Sequence, residues 1–98
     1  MDNNVKRFED EAEKLKALAH PVRLCIVNGL LSKKQCNVSY MQECLGLPQS
    51  TVSQHLQKLR TLGIIEAERS GLEINYSVKD EKIIKLMQLL FEEEQAHE

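Results

Sequence analysis

The chain has 98 residues, of which 42% are hydrophobic and 29% charged, and its formal net charge is −2. That length gives one small domain around one core, which excludes a domain pair or a large enzymatic cleft and leaves a fold that gains from dimerisation. The composition is that of a globular protein and excludes collagen-like, mucin-like and fully disordered chains, while no apolar run approaches the ~18 residues of a membrane span.

The N-terminus MDNNVKRFEDE is mixed and acidic, without the basic-then-apolar pattern of a signal peptide. A cytoplasmic location is therefore expected, where the three cysteines remain thiols rather than a disulfide framework. Val5, Phe8, Ala12, Leu15 and Ala19 recur at spacings of three and four, predicting a first amphipathic helix over about 3–19. His20-Pro21 breaks it, and Pro21 suits the first turn of a second helix reaching about Leu31. That helix is apolar on nearly every side and is expected at the centre.

Ser32 to Asn37 reads as a polar connector. Ser39 is the expected N-cap of a short helix, Tyr40 to Leu45, with Met41, Cys44 and Leu45 on one face. Gly46 ends it and Leu47-Pro48 restarts the chain. A fourth helix is predicted over about 49–62, with Val52, Leu56 and Leu59 as its apolar stripe and Gly63 as its C-terminal stop. Its opposite face carries Ser50, Ser53, Gln54, Gln57 and Lys58 and no acid. The period then changes to two: Ile65, Ala67 and Arg69 alternate with Glu66 and Glu68, and Leu72, Ile74, Tyr76 and Val78 with Glu73, Asn75 and Ser77. Joined around Ser70-Gly71, these runs over about 64–78 read as a β-hairpin. Asp80 opens a last helix over about 80–94, with Ile83, Leu86, Met87, Leu90 and Phe91 on one broad face.

Charge is unevenly distributed along this order. Residues 1–19 hold four basic and five acidic groups, residues 20–63 five basic and one acidic, and residues 64–98 four basic and nine acidic. The middle is thus a +4 island between flanks of −1 and −5, and screening over ~8 Å makes such local charge more relevant to phosphate binding than the total. The element order is that of a mainly helical α+β winged helix-turn-helix, with five helices and a two-stranded hairpin as the wing. In that unit the second helix enters the major groove. Ser, Thr, Gln and His there can pair with base edges and phosphates, and Arg69 near the wing tip can reach the backbone or the minor groove.

Two stretches carry a family resemblance. Leu15 to Leu24, LKALAHPVRL, resembles the first-to-second-helix hallmark of ArsR/SmtB-type bacterial repressors, and Leu45 to Leu56, LGLPQSTVSQHL, resembles their recognition-helix signature. Gly71 to Val78 resembles their wing, and the PQSTVSQHL run is most similar to PagR-like members that lack the usual metal sites. The resemblance implies a sequence-specific transcriptional repressor, a homodimer paired through its first and last helices on a palindromic operator of double-stranded DNA. Gln49, Ser50, Thr51, Ser53, Gln54 and His55 fall on its DNA-contacting helix, with Lys58, Arg60 and Arg69 as further DNA candidates.

Many relatives in that family sense metals. At the positions of the family's Cys-x-Cys pair this chain has Asn37 and Ser39, with Cys36 displaced by one. At its last-helix site Lys82 replaces a histidine, and Glu93 and Ala96 occupy the far positions with His97 one residue past. Neither set has the soft or imidazole donors a site needs, so no metal or cofactor is expected. Cys25, Cys36 and Cys44 remain as possible redox thiols. Cys25 and Cys44 are expected to be small buried hydrophobes, whereas Cys36, in the polar connector beside Lys33 and Lys34, is expected to be exposed and reactive. A Cys36–Cys44 link would distort the entry to the helix-turn-helix, and a metal-responsive repressor with a non-standard site is the alternative. An enzyme is not expected, since there is no Gly-rich phosphate loop and no nucleophile elbow. A helical protein-interaction module that does not bind DNA is the remaining alternative.

Overall fold

The computed structural model describes residues 3–33 and 35–91. A single 3-10 turn, Val5–Phe8, leads into α1, Glu9–Leu18, and α2, Pro21–Lys33. Then come α3, Val38–Leu45; α4, Gln49–Thr61; the strands β1, Ile65–Ser70, and β2, Glu73–Val78; and α5, Glu81–Leu90. This is the expected winged helix-turn-helix order, with five α-helices among the described residues.

The core forms where the apolar stripes of these helices converge. Ile26, Val27 and Leu30 of α2 meet Val52, Leu56 and Leu59 of α4, closed by Met41 of α3, by Ile64 and Ile65, and by Ile83 and Met87 of α5. Among the described residues every buried side chain is apolar, so the interior is held by area rather than by polar pairing. Asp80 caps α5 by accepting from the backbone N–H of Lys82 (3.0 Å) and Ile83 (3.3 Å). It also accepts from Lys14 Nζ at 2.6 Å, which ties α1 to the start of α5.

Four local expectations change. The N-cap of α3 is Asn37, whose side chain accepts from Tyr40 N at 2.9 Å, and Ser39 lies inside the helix. The first helix is not continuous from residue 3: Val5–Phe8 is wound as 3-10 and the α-helix starts at Glu9. The hairpin closes on Gly71-Leu72 between the paired Ser70 and Glu73. Gly71 has φ +64°, and a two-residue hairpin loop needs that positive φ at its first central position. The connector before α3 is also docked, since Cys36 and Tyr76 exchange backbone hydrogen bonds of 3.1 and 2.8 Å. The last helix ends at Leu90 with Phe91 as its C-cap, and residues 92–94 of the 80–94 expectation lie outside the described residues.

The radius of gyration is 14.4 Å and the longest extent 49 Å, against about 13 Å for a compact 100-residue domain. The elongation goes with uncovered terminal elements. Val5, Phe8 and Leu15 are 73%, 49% and 54% exposed, and Leu89 and Leu90 are 73% and 57% exposed. The stripe expected on the first helix therefore faces outward, while Ala17 and Leu18 make its contact with the core.

Candidate nucleic-acid interface

The helix-turn-helix is built by local chemistry. Gly46 ends α3 in the left-handed region (φ +66°), its N–H bonded to Gln42 O at 2.9 Å, a conformation that favours glycine. Pro48, extended at ψ 148°, is the N-cap of α4, and its carbonyl receives Thr51 N and Val52 N at 3.1 Å. Because Val52, Leu56 and Leu59 are buried, helical periodicity turns Gln49, Ser50, Ser53, Gln54, Gln57, Lys58 and Arg60 outward, and all seven are exposed. The first turn contains no acid and the last turn holds Lys58 and Arg60. Such a surface can donate to and accept from base edges while repelling no phosphate.

Two of the sequence candidates sit differently from the rest. Thr51 is half-buried. His55 is also half-buried and is held from within: Arg23 Nε donates to its Nδ1 at 3.2 Å, and its ring lies 4.8 Å from the His20 ring, centroid to centroid. The bond to Nδ1 puts the ring proton on Nε2. Burial, reinforced by His20 and Arg23, holds the His55 pKa below the ordinary imidazole value, so the ring is kept neutral. Arg23 also donates to the carbonyl of Ala17 at 3.1 Å, and His20 Nδ1 accepts from Val22 N at 3.2 Å. The end of α1, the start of α2 and the middle of the recognition helix are thus joined by one guanidinium. Sequence reasoning placed Arg23 in the basic island and in the LKALAHPVRL stretch but gave it no partner, because His55 lies 32 residues away.

In the wing, strand pairing places Arg69 opposite Ile74, on the face that Ala67 and Tyr76 share. Glu66, Glu68 and Glu73 lie on the other face. The hairpin can therefore turn a cationic edge to a polyanion and keep its carboxylates away.

The cysteines depart from expectation. Cys36 is buried, and Cys25 and Cys44 are exposed. Burial pushes the Cys36 thiol above its usual pKa despite the opposing field of Lys33, because the backbone bridge to Tyr76 draws the connector onto the hairpin. All three nevertheless line one crevice between α2 and α3. Among the described residues no group of three or more His, Cys, Asp or Glu is placed to hold a metal ion. Asn37, Ser39 and Lys82 offer no replacement, and Glu93, Ala96 and His97 lie outside the described residues. No described helix is long and apolar enough to cross a membrane.

The family profile described as "Bacterial regulatory protein, arsR family" matches residues 20–67, the stretch from the Arg23 tether through the recognition helix into the wing. The transcriptional repressor PagR of Bacillus anthracis is 50% identical over 83 residues, covering 85% of this chain and 83% of its own. The chain belongs to the arsR family of bacterial regulatory proteins. Its fold superposes on the crystal structure of PagR with a TM-score of 0.80 at 47% identity, covering 89% of this chain and 99% of that one. It also matches, with a TM-score of 0.79 at 28% identity, the solution structure of the homodimeric winged helix-turn-helix DNA-binding domain of Mb0332 from Mycobacterium bovis, a possible ArsR-family regulator. That match covers 99% of this chain and 89% of the Mb0332 domain.

Proposed function

We propose that the chain is a transcriptional repressor that binds double-stranded DNA in a sequence-specific way as a homodimer on a palindromic operator. The observation that carries this reading is α4: an acid-free polar face displayed by a helix-turn-helix whose other face is locked into the core. Its kinship with PagR, a transcriptional repressor, supports the sign of regulation, and the homodimeric Mb0332 domain supports the assembly. Gln49, Ser50, Ser53 and Gln54 meet base edges or adjacent phosphates, Lys58, Arg60 and Arg69 neutralise phosphates, and Thr51 and His55 act from the inner flank of the helix.

Residues 1–98 act as one domain. The dimer seam is formed by the 3-10 turn and α1 together with α5, where Val5, Phe8, Leu15, Leu89 and Leu90 leave apolar area open. Two-fold pairing of recognition helices calls for half-sites about 10 base pairs apart. The function needs no cofactor and no catalysis, and it places the protein with the chromosome in the cytoplasm. Release of DNA is thiol-responsive, through the crevice that the three cysteines share. Selection from a random duplex pool tests the reading: the expected product is an inverted repeat with that spacing, protected by two copies of the chain. Enrichment of no sequence over the starting pool would refute it and favour a protein-interaction module.

A further inference from the structure

The crevice between α2 and α3 combines three features. Its volume is about 160 Å³, close to that of an engineered apolar cavity of roughly 150 Å³ that takes up benzene. Its walls are Ile26, Leu30 and Met41, all buried, together with Leu45 and Tyr40, and Lys33 stands over the Tyr40 ring at 5.5 Å. Every cysteine of the chain lines it: Cys25 on the α2 wall and Cys44 on the α3 wall, both exposed, and Cys36 buried. Simple core packing needs neither a hollow of this size nor thiols on both sides of it.

We infer that this crevice is a binding site for a small apolar electrophile of single-ring size, such as an α,β-unsaturated carbonyl compound, which one of its exposed thiols captures. The inference rests on the repressor reading above and names the ligand class for its release step. The ring enters between Met41 and Leu30, and the Cys44 or Cys25 thiolate attacks the β-carbon. A C–S bond forms, the C=C π pair moves to the carbonyl oxygen as an enolate, and the α-carbon takes from water a proton equal to the one the thiol gave up. Nothing is oxidised or reduced, so no co-reactant is needed. Cys36, held protonated by burial, serves as wall and not as nucleophile.

The consequence for DNA follows from position. α3 is the first helix of the helix-turn-helix and rests on α4, so an adduct wedged between α2 and α3 shifts the support of the recognition helix. Packed interiors answer such a wedge by discrete displacement rather than by compression.

The test uses the full chain, N-ethylmaleimide as the apolar probe and iodoacetate as a charged alkylator of the same thiols. Adducts are mapped by mass spectrometry, rates are normalised to glutathione, and affinity is measured on the selected duplex. Cys25 and Cys44 are expected to favour N-ethylmaleimide over iodoacetate by about tenfold relative to glutathione, the factor that burying an ethyl group supplies. The maleimide-treated protein is expected to bind the duplex at least roughly tenfold more weakly, and a treated Cys25→Ser/Cys44→Ser variant is expected to bind as before. Glutathione-like selectivity, adducts without loss of affinity, or equal loss in the double variant each overturn the inference. Untreated protein that binds no duplex overturns the repressor reading instead, and with it the release step.

Discussion

The recognition helix and the terminal helices are all amphipathic, yet they leave opposite faces open. α4 buries Val52, Leu56 and Leu59 almost completely and shows solvent a polar, acid-free face. The 3-10 turn, α1 and α5 bury only Ala17, Leu18, Ile83 and Met87 and leave Val5, Phe8, Leu15, Leu89 and Leu90 to solvent. An open polar face of neutral and cationic groups suits a hydrated polyanion, whereas open apolar area suits another apolar surface. In the proposed reading, a single 98-residue chain divides its two contacts between its middle and its ends, and the basic island and acidic flanks follow the same division.

The largest effect is expected at the ends. Phe8→Asp or Leu90→Asp would bury an unpaired charge in the seam at a cost of about 3–5 kcal/mol, weakening the dimer by roughly a hundred- to a few-thousandfold. Both side chains are already about half-exposed in the single chain, so circular dichroism should show an intact fold while sedimentation shows a monomer. A dimer that persists at micromolar concentration would remove the terminal helices from the seam.

In the middle, the two kinds of contact separate by their salt dependence. Gln54→Ala is expected to relax base preference, costing about 1–3 kcal/mol on the best site and little on others. Lys58→Ala is expected to weaken all sites alike and to flatten the salt slope by about one unit. Binding curves on matched and scrambled duplexes over a range of KCl distinguish them, and equal effects of both variants on both duplexes would erase the division between reading and charge.

Arg23 joins the two regions. Arg23→Met keeps much of the side-chain length but breaks the bonds to His55 and to the Ala17 carbonyl, a loss of about 1–3 kcal/mol for hydrogen bonds from a charged donor. Denaturant unfolding should show that loss, and operator affinity should fall further than an equally destabilising substitution on α5 would cause. The smallest effect is that of pH. With its pKa depressed by burial, His20 and Arg23, His55 takes up a proton more readily in the unfolded chain, so its contribution to stability is present above about 6.5 and lost as pH falls toward the folded-state pKa. Thermal unfolding at pH 7.5 and 5.5 should show a drop that His55→Gln reduces. Asp80 adds nothing in that window: burial raises its pKa, but the Lys14 hydrogen bond and the α5 amides outweigh this and hold it below the usual carboxylate value. Its contribution is lost only in stronger acid.

Most of this architecture was legible in the sequence, for reasons that also explain the misses. α4 could be bounded because its stripe has a single period and Gly63 stops it, and the wing could be read from strict alternation. The exposure of Cys25 could not, because α2 is apolar all round and its periodicity names no inner face. The burial of Cys36 depends on a backbone bridge to Tyr76, 40 positions along the chain, and the Arg23–His55 bond spans 32. Such contacts are set by tertiary packing and leave no local mark. The α3 cap moved from Ser39 to Asn37 because either side chain can cap, and the docked connector decides which one begins the helix.

In the proposed reading, α4 and its cationic neighbours grip duplex DNA as a dimer. The most direct measurement is the affinity of the full chain for a duplex carrying the selected inverted repeat, taken across KCl concentrations with the stoichiometry fixed by sedimentation. Two chains per duplex are expected, with a log–log salt plot that falls linearly at a slope of about −0.9 for each phosphate neutralised. A flat plot, or saturation by a single chain, would contradict it.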